Sequence, residues 1–330
     1  MTAPMTGQEL WLTGLCTGVG SLPGTDATQA ARLVLDNDTD VPYLPELPDR
    51  LWYGDLAGRG AALLADLTVD LQPTGWRVTP RSSRDGQRAR DLIARDLDAF
   101  ELAAQAQPPT FLKIQATGPW TLVALLELHR GAKVLSDHGA VRDLTQSLAE
   151  GLKRHLADVQ GRFPNATIAL QLDEPSLPAV LAAHIPTASG FGTYRKPDAQ
   201  LARERLRTVL EIHPHTVVHC CAPRPPVELL VTAGAQALSL DAAMLHPKDD
   251  DDLGVAMEKG TGLLLGVVPT TGALPAVRAV LETVGRLRDR VGVTQVALTP
   301  ACGLAGTTPD HARAVMARVR KAAEALKEDQ

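Results

Sequence analysis

Short apolar runs alternate with longer amphipathic stretches along nearly the whole chain. The runs are rich in Val, Ile and Leu and end at Gly or Pro, which is typical of buried strands, while the longer stretches carry apolar residues at helical spacing. The pattern predicts strands over 15–21, 111–116, 167–172, 216–221, 236–241, 262–268 and 293–299, and a proline-limited second strand with its loop over 41–48. It predicts helices over 27–35, 54–66, 83–105, 119–128, 138–161, 198–211, 225–233, 250–258, 275–289 and 309–327, a short one after 175, and an irregular segment around 73–80.

Eight strands that alternate with helices predict an α/β fold, a single (β/α)8 TIM barrel over residues 1–330. A doubly wound open sheet is the alternative. The barrel is favoured because the chemically interesting residues follow strand ends, and in a barrel these ends converge on one mouth. The sequence has no internal repeat, linker or low-complexity segment, so we expect one catalytic domain with its active site at the C-terminal ends of the strands.

Composition narrows the classes of function. The chain has 330 residues, of which 45% are hydrophobic, and a net charge of −5, with no basic stripe, so we expect no nucleic-acid partner. No apolar run reaches membrane-spanning length and the start lacks a signal-peptide pattern, so we expect no membrane partner. Four Cys without a disulfide-scaffold spacing favour a reducing, cytoplasmic location, where thiols stay free for metal binding or catalysis.

The predicted fifth strand ends in two thiols. It begins at Thr216 and runs through His219, Cys220 and Cys221 to Pro223, which ends it. Because strand residues alternate sides, His219 and Cys221 point one way and Cys220 the other. An imidazole and a thiolate on one side of a strand end form half of a zinc site.

Two other strand ends offer the missing ligands. Cys302 follows the eighth predicted strand and Asp241 ends the sixth. With His219 and Cys221 they would be a plausible Zn(II) set. A single free Cys is more often a small buried hydrophobe, and this is what we expect of Cys220 and Cys16. For Asp241, a zinc ligand and a cap or buried hydrogen-bond acceptor both remain open.

Further polar residues follow strands one, two and four. Asp173 and Glu174 resemble an acid/base pair, but adjacent strand residues diverge, so one faces the mouth and the other braces a loop. Ser21 lies in a Gly-Ser-Leu-Pro turn without the Gly-x-Ser-x-Gly elbow of a nucleophile. We expect a turn role for Glu46, with a place at the mouth as the alternative.

Five short motifs occur in an order that is more specific than any one of them. They are Gly-Ser-Leu-Pro (20–23), Thr-Gly-Pro (117–119), Gln-x-Asp-Glu-Pro (171–175), His-x-Cys (219–221) and Pro-x-Cys-Gly (300–303). From about residue 14 to the C-terminus the chain resembles the catalytic domain of cobalamin-independent methionine synthase, within the uroporphyrinogen decarboxylase and methionine synthase-like superfamily.

The resemblance implies a zinc-bearing barrel that activates the thiolate of homocysteine for attack on a methyl group. His219, Cys221 and Cys302 look like the zinc ligands of that family, and Asp241 falls where the family has a glutamate ligand. Ser21 and Asp173 look like contacts to the carboxylate and the amino group of homocysteine.

The chain also departs from the family pattern. We see no room for the second, N-terminal barrel of the full-length enzymes. Ala179 stands where the family has a further acidic substrate contact, and Pro269–Gly272 lacks a His taken to be a proton donor. We therefore expect thiol activation to be retained, with a methyl-folate or a methyl-corrinoid as donor, the latter carried by a corrinoid protein.

The expected function is a zinc-dependent methyltransferase that converts homocysteine to methionine. A free thiol has a pKa of ~8.5, whereas a metal-bound thiol is deprotonated, so zinc suits this chemistry. The alternatives are a zinc-dependent thiol alkyltransferase with another acceptor such as coenzyme M, including with an epoxide, and a barrel that binds a thiol or a corrinoid protein without turnover. An amino-acid acceptor requires that Asp173 face the mouth.

Overall fold

A computed structural model describes residues 14–37, 39–293 and 295–328 and shows an α/β fold built around a curved parallel sheet. Its strands pair in chain order, each with the next, from β3 to β8. The strands are β1 (Thr68–Gln72), β2 (Gly75–Thr79), β3 (Phe111–Thr117), β4 (Thr167–Asp173), β5 (Thr216–Cys220), β6 (Ala237–Asp241), β7 (Gly262–Val268) and β8 (Ala297–Pro300).

Helices follow the strands of this sheet, as the pattern predicts. They are α1 (Ala27–Asp36), α2 (Leu56–Ala62), α3 (Arg84–Ala104), α4 (Pro119–Leu125), α5 (His138–Arg162), α6 (Leu177–Leu181), α7 (Ala199–Leu210), α8 (Val227–Ala233), α9 (Asp250–Glu258), α10 (Val277–Val291) and α11 (Pro309–Glu328). Two starts are fixed by caps: Asp26 accepts from the N–H groups of Thr28 and Gln29, and Ser83 accepts from that of Gly86.

The first two predicted strands meet the edges of the six-stranded sheet through isolated bridges. Cys16 is bridged to Leu298 of β8, and Tyr43 to Lys113 of β3. The two segments are joined to each other by a bond of 3.2 Å from Val41 N to the carbonyl oxygen of Cys16 and by an isolated bridge between Ser21 and Glu46. In the described part of the chain, the predicted eight-stranded barrel is therefore confirmed only as a curved sheet of six regular strands with two bridged segments at its edges.

Strand alternation divides the interior of the sheet into layers. The lowest layer is apolar and consists of Ala169, Val217, Ala237, Leu264 and Ala297, with Leu15 and Phe111 packed against it. Two residues further along six of these elements stand buried polar side chains, Thr17, Lys113, Gln171, His219, Ser239 and Thr299. The interior thus changes from apolar to polar towards the C-terminal ends of the strands, where the chemistry-bearing residues lie.

The prediction of an irregular segment around 73–80 is wrong. Strands β1 and β2 form an antiparallel hairpin whose last pair is Gln72 with Gly75. Tertiary contacts hold it, because Trp76 is buried, donates from its indole nitrogen to the Trp52 carbonyl at 2.8 Å, and accepts at its own carbonyl from Glu127 N at 2.9 Å.

Candidate metal and substrate site

Three of the four predicted metal ligands lie together at the C-terminal end of the sheet. The donor atoms of His219, Cys221 and Cys302 are all within 4.8 Å of one another. The sulfur of Cys302 is 3.9 Å from Nε2 of His219 and 2.9 Å from the sulfur of Cys221. All three thiols near this point, including Cys220, are free of disulfides. This group can hold a metal ion.

The orientation of the His219 ring is set by its other nitrogen. Nδ1 lies 3.0 Å from the hydroxyl oxygen of Ser239, its cross-strand partner on β6, and Nε2 faces the thiols. A partner of this kind fixes the tautomer and the direction of a ligating imidazole. Sequence reasoning missed Ser239, although alternation along β6 places it on the side that His219 occupies on β5.

The two thiols are hydrogen-bonded to each other. The sulfur of Cys302 lies 2.9 Å from that of Cys221, and this bond is the main cause that lowers the pKa of Cys302 to about 4 and raises that of Cys221 far above its usual range. The pKa values of the two neighbouring thiols are thereby moved far apart. Two sulfurs and one imidazole form the soft donor set that zinc favours, with bonds of about 2.0–2.3 Å, so the residues present fit zinc.

Asp241 is not part of this group of donor atoms. Its carboxylate accepts from Ala243 N at 2.9 Å and caps the short 3-10 helix Ala242–Met244. Burial raises its pKa, since the side chain is half-buried. The cap role is therefore confirmed, and a ligand role for Asp241 stays a prediction.

Cys220 and Cys16 are packed in the hydrophobic core, as expected. Each is about 1% exposed and belongs to the layer between the sheet and the helices. Burial raises the pKa of both thiols to about 12. The register of β5 is thereby the predicted one, with His219 inside and Cys220 outside.

The three donors open onto a cavity of about 390 Å³. Its wall includes the predicted substrate contacts, Ser21 and Asp173, together with Glu46. Residues from the ends of several strands therefore converge on one space, as the barrel interpretation requires.

Asp173 faces this cavity from the end of β4. Its Oδ1 accepts from Nε2 of Gln171 at 2.7 Å. Burial raises the pKa of the carboxyl group to about 7, while the nearby charges of His219 and Lys113 oppose the shift. A buried carboxylate at the cavity wall can accept charge-assisted hydrogen bonds from a cationic group.

Glu174 points the other way and braces a turn. Its carboxylate accepts from the backbone N–H groups of Trp120 (2.9 Å) and Thr121 (2.7 Å) and from the Thr121 hydroxyl (2.8 Å). These bonds tie the end of β4 to the start of α4. Asp173 and Glu174 are therefore not an acid/base pair in one cavity, and the predicted division between mouth and loop is confirmed.

Ser21 is held next to the segment that follows Cys302. Its carbonyl accepts from Leu304 N at 2.8 Å. Gly303 packs so closely on the Ser21 hydroxyl that a side chain at 303 would collide with it. The Cys302-Gly303 pair thus serves two purposes, since the thiol lines the cluster and the glycine leaves room for Ser21.

Glu46 is more than a turn residue. It is buried, lines the cavity and accepts from Nε of Arg59 at 2.9 Å. Arg59, itself buried, also bonds Asp96 at 2.8 Å. The alternative that the sequence left open, a place of Glu46 at the mouth, is the one the cavity wall shows.

Within residues 14–37, 39–293 and 295–328, no helix combines the length and the apolar character needed to cross a membrane.

Comparison with known families gives one match that covers more than half of the chain. Residues 97–325 match the family described as cobalamin-independent synthase, catalytic domain. This confirms the resemblance seen in the five motifs, and it covers four of them.

Two solved structures share the fold. A B12-independent methionine synthase from Shewanella sp. W3-18-1 in complex with selenomethionine aligns with a TM-score of 0.62 and 13% identity, over 96% of this chain and 98% of that chain. A putative vitamin-B12 independent methionine synthase from Listeria monocytogenes aligns with a TM-score of 0.62 and 14% identity, over 99% of each chain. At these identities the likeness establishes the fold alone.

No curated protein matches the sequence significantly. The matching family and both solved relatives are described as independent of cobalamin or B12. The expected corrinoid methyl-donor protein therefore finds no support in these comparisons.

Proposed function

Because this chain belongs to the family of the cobalamin-independent synthase catalytic domain, we propose that it is a zinc-dependent methyltransferase that converts homocysteine to methionine. One observation carries the proposal: His219, Cys221 and Cys302 face the same cavity as Asp173 and Ser21. A site for a thiol and a site for an amino acid thus adjoin each other.

His219, Cys221 and Cys302 would hold the zinc ion. When bound, zinc supplies a soft Lewis acid that keeps an acceptor sulfur in its thiolate form at neutral pH. The protein would contribute the direction of the His219 imidazole, because Ser239 is hydrogen-bonded to its other ring nitrogen.

The acceptor is oriented by charge and hydrogen bonding. Asp173 would accept hydrogen bonds from the ammonium group of homocysteine, and Ser21 would donate to its carboxylate. Holding both ends of the amino acid would fix the direction of the sulfur, which raises the rate by orientation. The place of Asp173 at the cavity favours an amino-acid acceptor over coenzyme M or another thiol without an amine.

The fold and the cellular location of the protein are inferred from the two bridged segments and from the cysteines. We propose that the bridged segments at 15–21 and 41–48 complete a (β/α)8 barrel and that the chain forms one catalytic domain. The four cysteines are free, which supports the expected cytoplasmic location.

The methyl donor stays open between a methyl-folate and a methyl-corrinoid. When methyltetrahydrofolate gives up its methyl group, tetrahydrofolate leaves as an amine that needs a proton, and a missing general acid costs roughly 10²–10⁴-fold in rate. The stretch Pro269–Gly272 has no His to supply it, so we predict slow turnover with the folate donor.

The proposal is tested by methionine formation from homocysteine and each of the two donors, with the zinc-loaded protein. The matched acceptor is 4-mercaptobutanoate, which lacks only the amino group. We expect methyl transfer to homocysteine, much slower transfer to 4-mercaptobutanoate, and none in Cys302→Ala. Failure to methylate homocysteine with either donor would refute the assignment, and equal rates for both acceptors would favour the thiol alkyltransferase.

A further inference from the structure

Lys113 is a fully buried lysine in the interior of the sheet, below the cavity. It lies on β3 and is 0% exposed. Taking an ammonium group out of water is costly unless hydrogen bonds replace its hydration. The burial of this lysine therefore needs an explanation other than packing.

Neutral oxygens satisfy this ammonium group. Nζ of Lys113 donates to the Val19 carbonyl at 2.9 Å, to Oε1 of Gln171 at 2.8 Å and to Oε1 of Gln115 at 3.3 Å. The three N–H groups thus meet three acceptors. The aromatic ring of Tyr43, with its centroid 5.5 Å away, adds a further favourable contact for the cation.

The lysine decides which way the amide of Gln171 points. An ammonium group can only donate, so the oxygen of the amide has to face it and the nitrogen has to face away. The nitrogen then donates to Asp173 at 2.7 Å and to the Val19 carbonyl at 2.8 Å. A flipped amide would set its oxygen against the Asp173 carboxylate, which is repulsive.

The same ammonium group also fixes the backbone before Ser21. The Val19 carbonyl receives bonds from both Lys113 and Gln171. Gly20 lies so close to Gln115 that a side chain at 20 would meet it at 2.8 Å. The segment that carries Ser21 is thus seated on the same polar group that orients Asp173.

We propose that Lys113 is a positioning residue that holds Asp173, through Gln171, and the Ser21 segment, through the Val19 carbonyl, in the arrangement that receives the amino-acid end of the acceptor. The inference rests on the proposed function, and it adds a buried residue that touches neither the substrate nor the metal ligands. The chemistry recognised is a zwitterion at a fixed distance from a thiol.

The test compares homocysteine with the thiol that remains when its amino group and its carboxylate are removed. Homocysteine carries the amino-acid end, and 1-propanethiol carries neither of its charged groups. Binding of each to the zinc-loaded protein is measured by calorimetry for the wild type and for Lys113→Met, which keeps the length but loses the donors. We expect the variant to bind homocysteine roughly 10-fold to 100-fold more weakly and propanethiol with little change, at unchanged zinc content.

Two further variants complete the design. Lys153→Met, at an exposed lysine of α5, is the matched control and should change neither affinity. Gln171→Met breaks the link to Asp173 while leaving Lys113 two of its acceptors, and it decides the question if Lys113→Met does not fold. This variant too should bind homocysteine more weakly, with little change in the binding of propanethiol.

The outcomes separate this inference from the proposed function. The positioning role would be overturned if the folded variants bound both thiols equally more weakly, or if they bound homocysteine as tightly as the wild type does. A wild-type protein that prefers homocysteine but does not methylate it would refute the proposed function, and the affinity ratio would still test Lys113. A wild type without any preference for homocysteine over propanethiol would overturn the inference directly.

Discussion

Nδ1 of His219 lies 3.0 Å from the hydroxyl oxygen of Ser239 on the neighbouring strand, so the opposite ring nitrogen is the one presented to the two thiols. The two residues are direct cross-strand partners. The register between β5 and β6 therefore sets the direction of a predicted metal ligand.

Removal of this hydroxyl should weaken metal binding without abolishing it. We expect Ser239→Ala to lower zinc affinity about 10-fold to 100-fold, the usual effect of losing a partner that orients a ligating His. Competition with a chromogenic chelator measures the affinity. Ser239→Thr keeps the hydroxyl and serves as the control, and an affinity unchanged in Ser239→Ala would show that the ring is oriented by other contacts.

Metal content should depend on two cysteines and not on the third. We expect about one zinc per chain, lost in Cys221→Ala and in Cys302→Ala, because these thiols belong to the cluster of donor atoms. Cys220→Ser should keep its zinc and lose about 1–3 kcal/mol of unfolding free energy, since a hydroxyl replaces a buried thiol. Elemental analysis and urea unfolding check both effects, and full zinc content in the first two variants would remove the proposed site.

Asp173 should act on acceptor binding more than on turnover. In Asp173→Asn the charge that receives the ammonium group is gone, so we expect KM for homocysteine to rise about 10-fold to 100-fold with a smaller change in kcat. The control acceptor is 4-mercaptobutanoate, whose KM should stay as in the wild type. An equal rise in KM for both acceptors would indicate a structural effect.

His155 should make the protein sensitive to acid. Burial in α5 is the main cause that lowers its pKa to about 4, helped by the charge of Arg59. Below about pH 6.5 the unfolded chain takes up a proton that the folded chain refuses, so stability is lost as the pH falls from about 6.5 towards 4. The loss is about 1.4 kcal/mol per pH unit, or about 2 kcal/mol at pH 5.

Urea unfolding at about pH 7 and pH 5 measures this loss. His155→Gln should flatten the pH dependence, whereas His129→Gln, at an exposed position, should leave it as in the wild type. The same slope in His155→Gln and the wild type would assign the acid sensitivity to other groups.

Periodicity was sufficient for most of the secondary structure because the elements bury one face. Helix α3 is an example: it was expected over 83–105, and its bounds are Arg84–Ala104 with Ser83 as cap. The hairpin β1–β2 was missed because Pro73 lies in its turn, and the tertiary contacts of Trp76 that hold it are not written in the local pattern.

Alternation along strands was also sufficient to separate Cys220 from His219 and Cys221, since neighbouring residues of a strand point to opposite sides. Alternation did not predict that Glu46 reaches the cavity, because that position depends on how the segment after Val41 is bridged to β3. The role of Asp241 was equally undecided in the sequence, and its bond to Ala243 depends on the 3-10 turn that follows β6.

The sequence by itself determined the alternation of strands and helices, the sides on which the thiols lie and the order of the family motifs, because these depend on residues a few positions apart. The tertiary structure alone decided that Cys302 comes within 3.9 Å of His219, that Ser239 bonds that ring, and that Lys113 bonds both Gln171 and the Val19 carbonyl. Contacts between residues far apart in the chain depend on strand register and on the curvature of the sheet. Neither of these is a local property of the sequence.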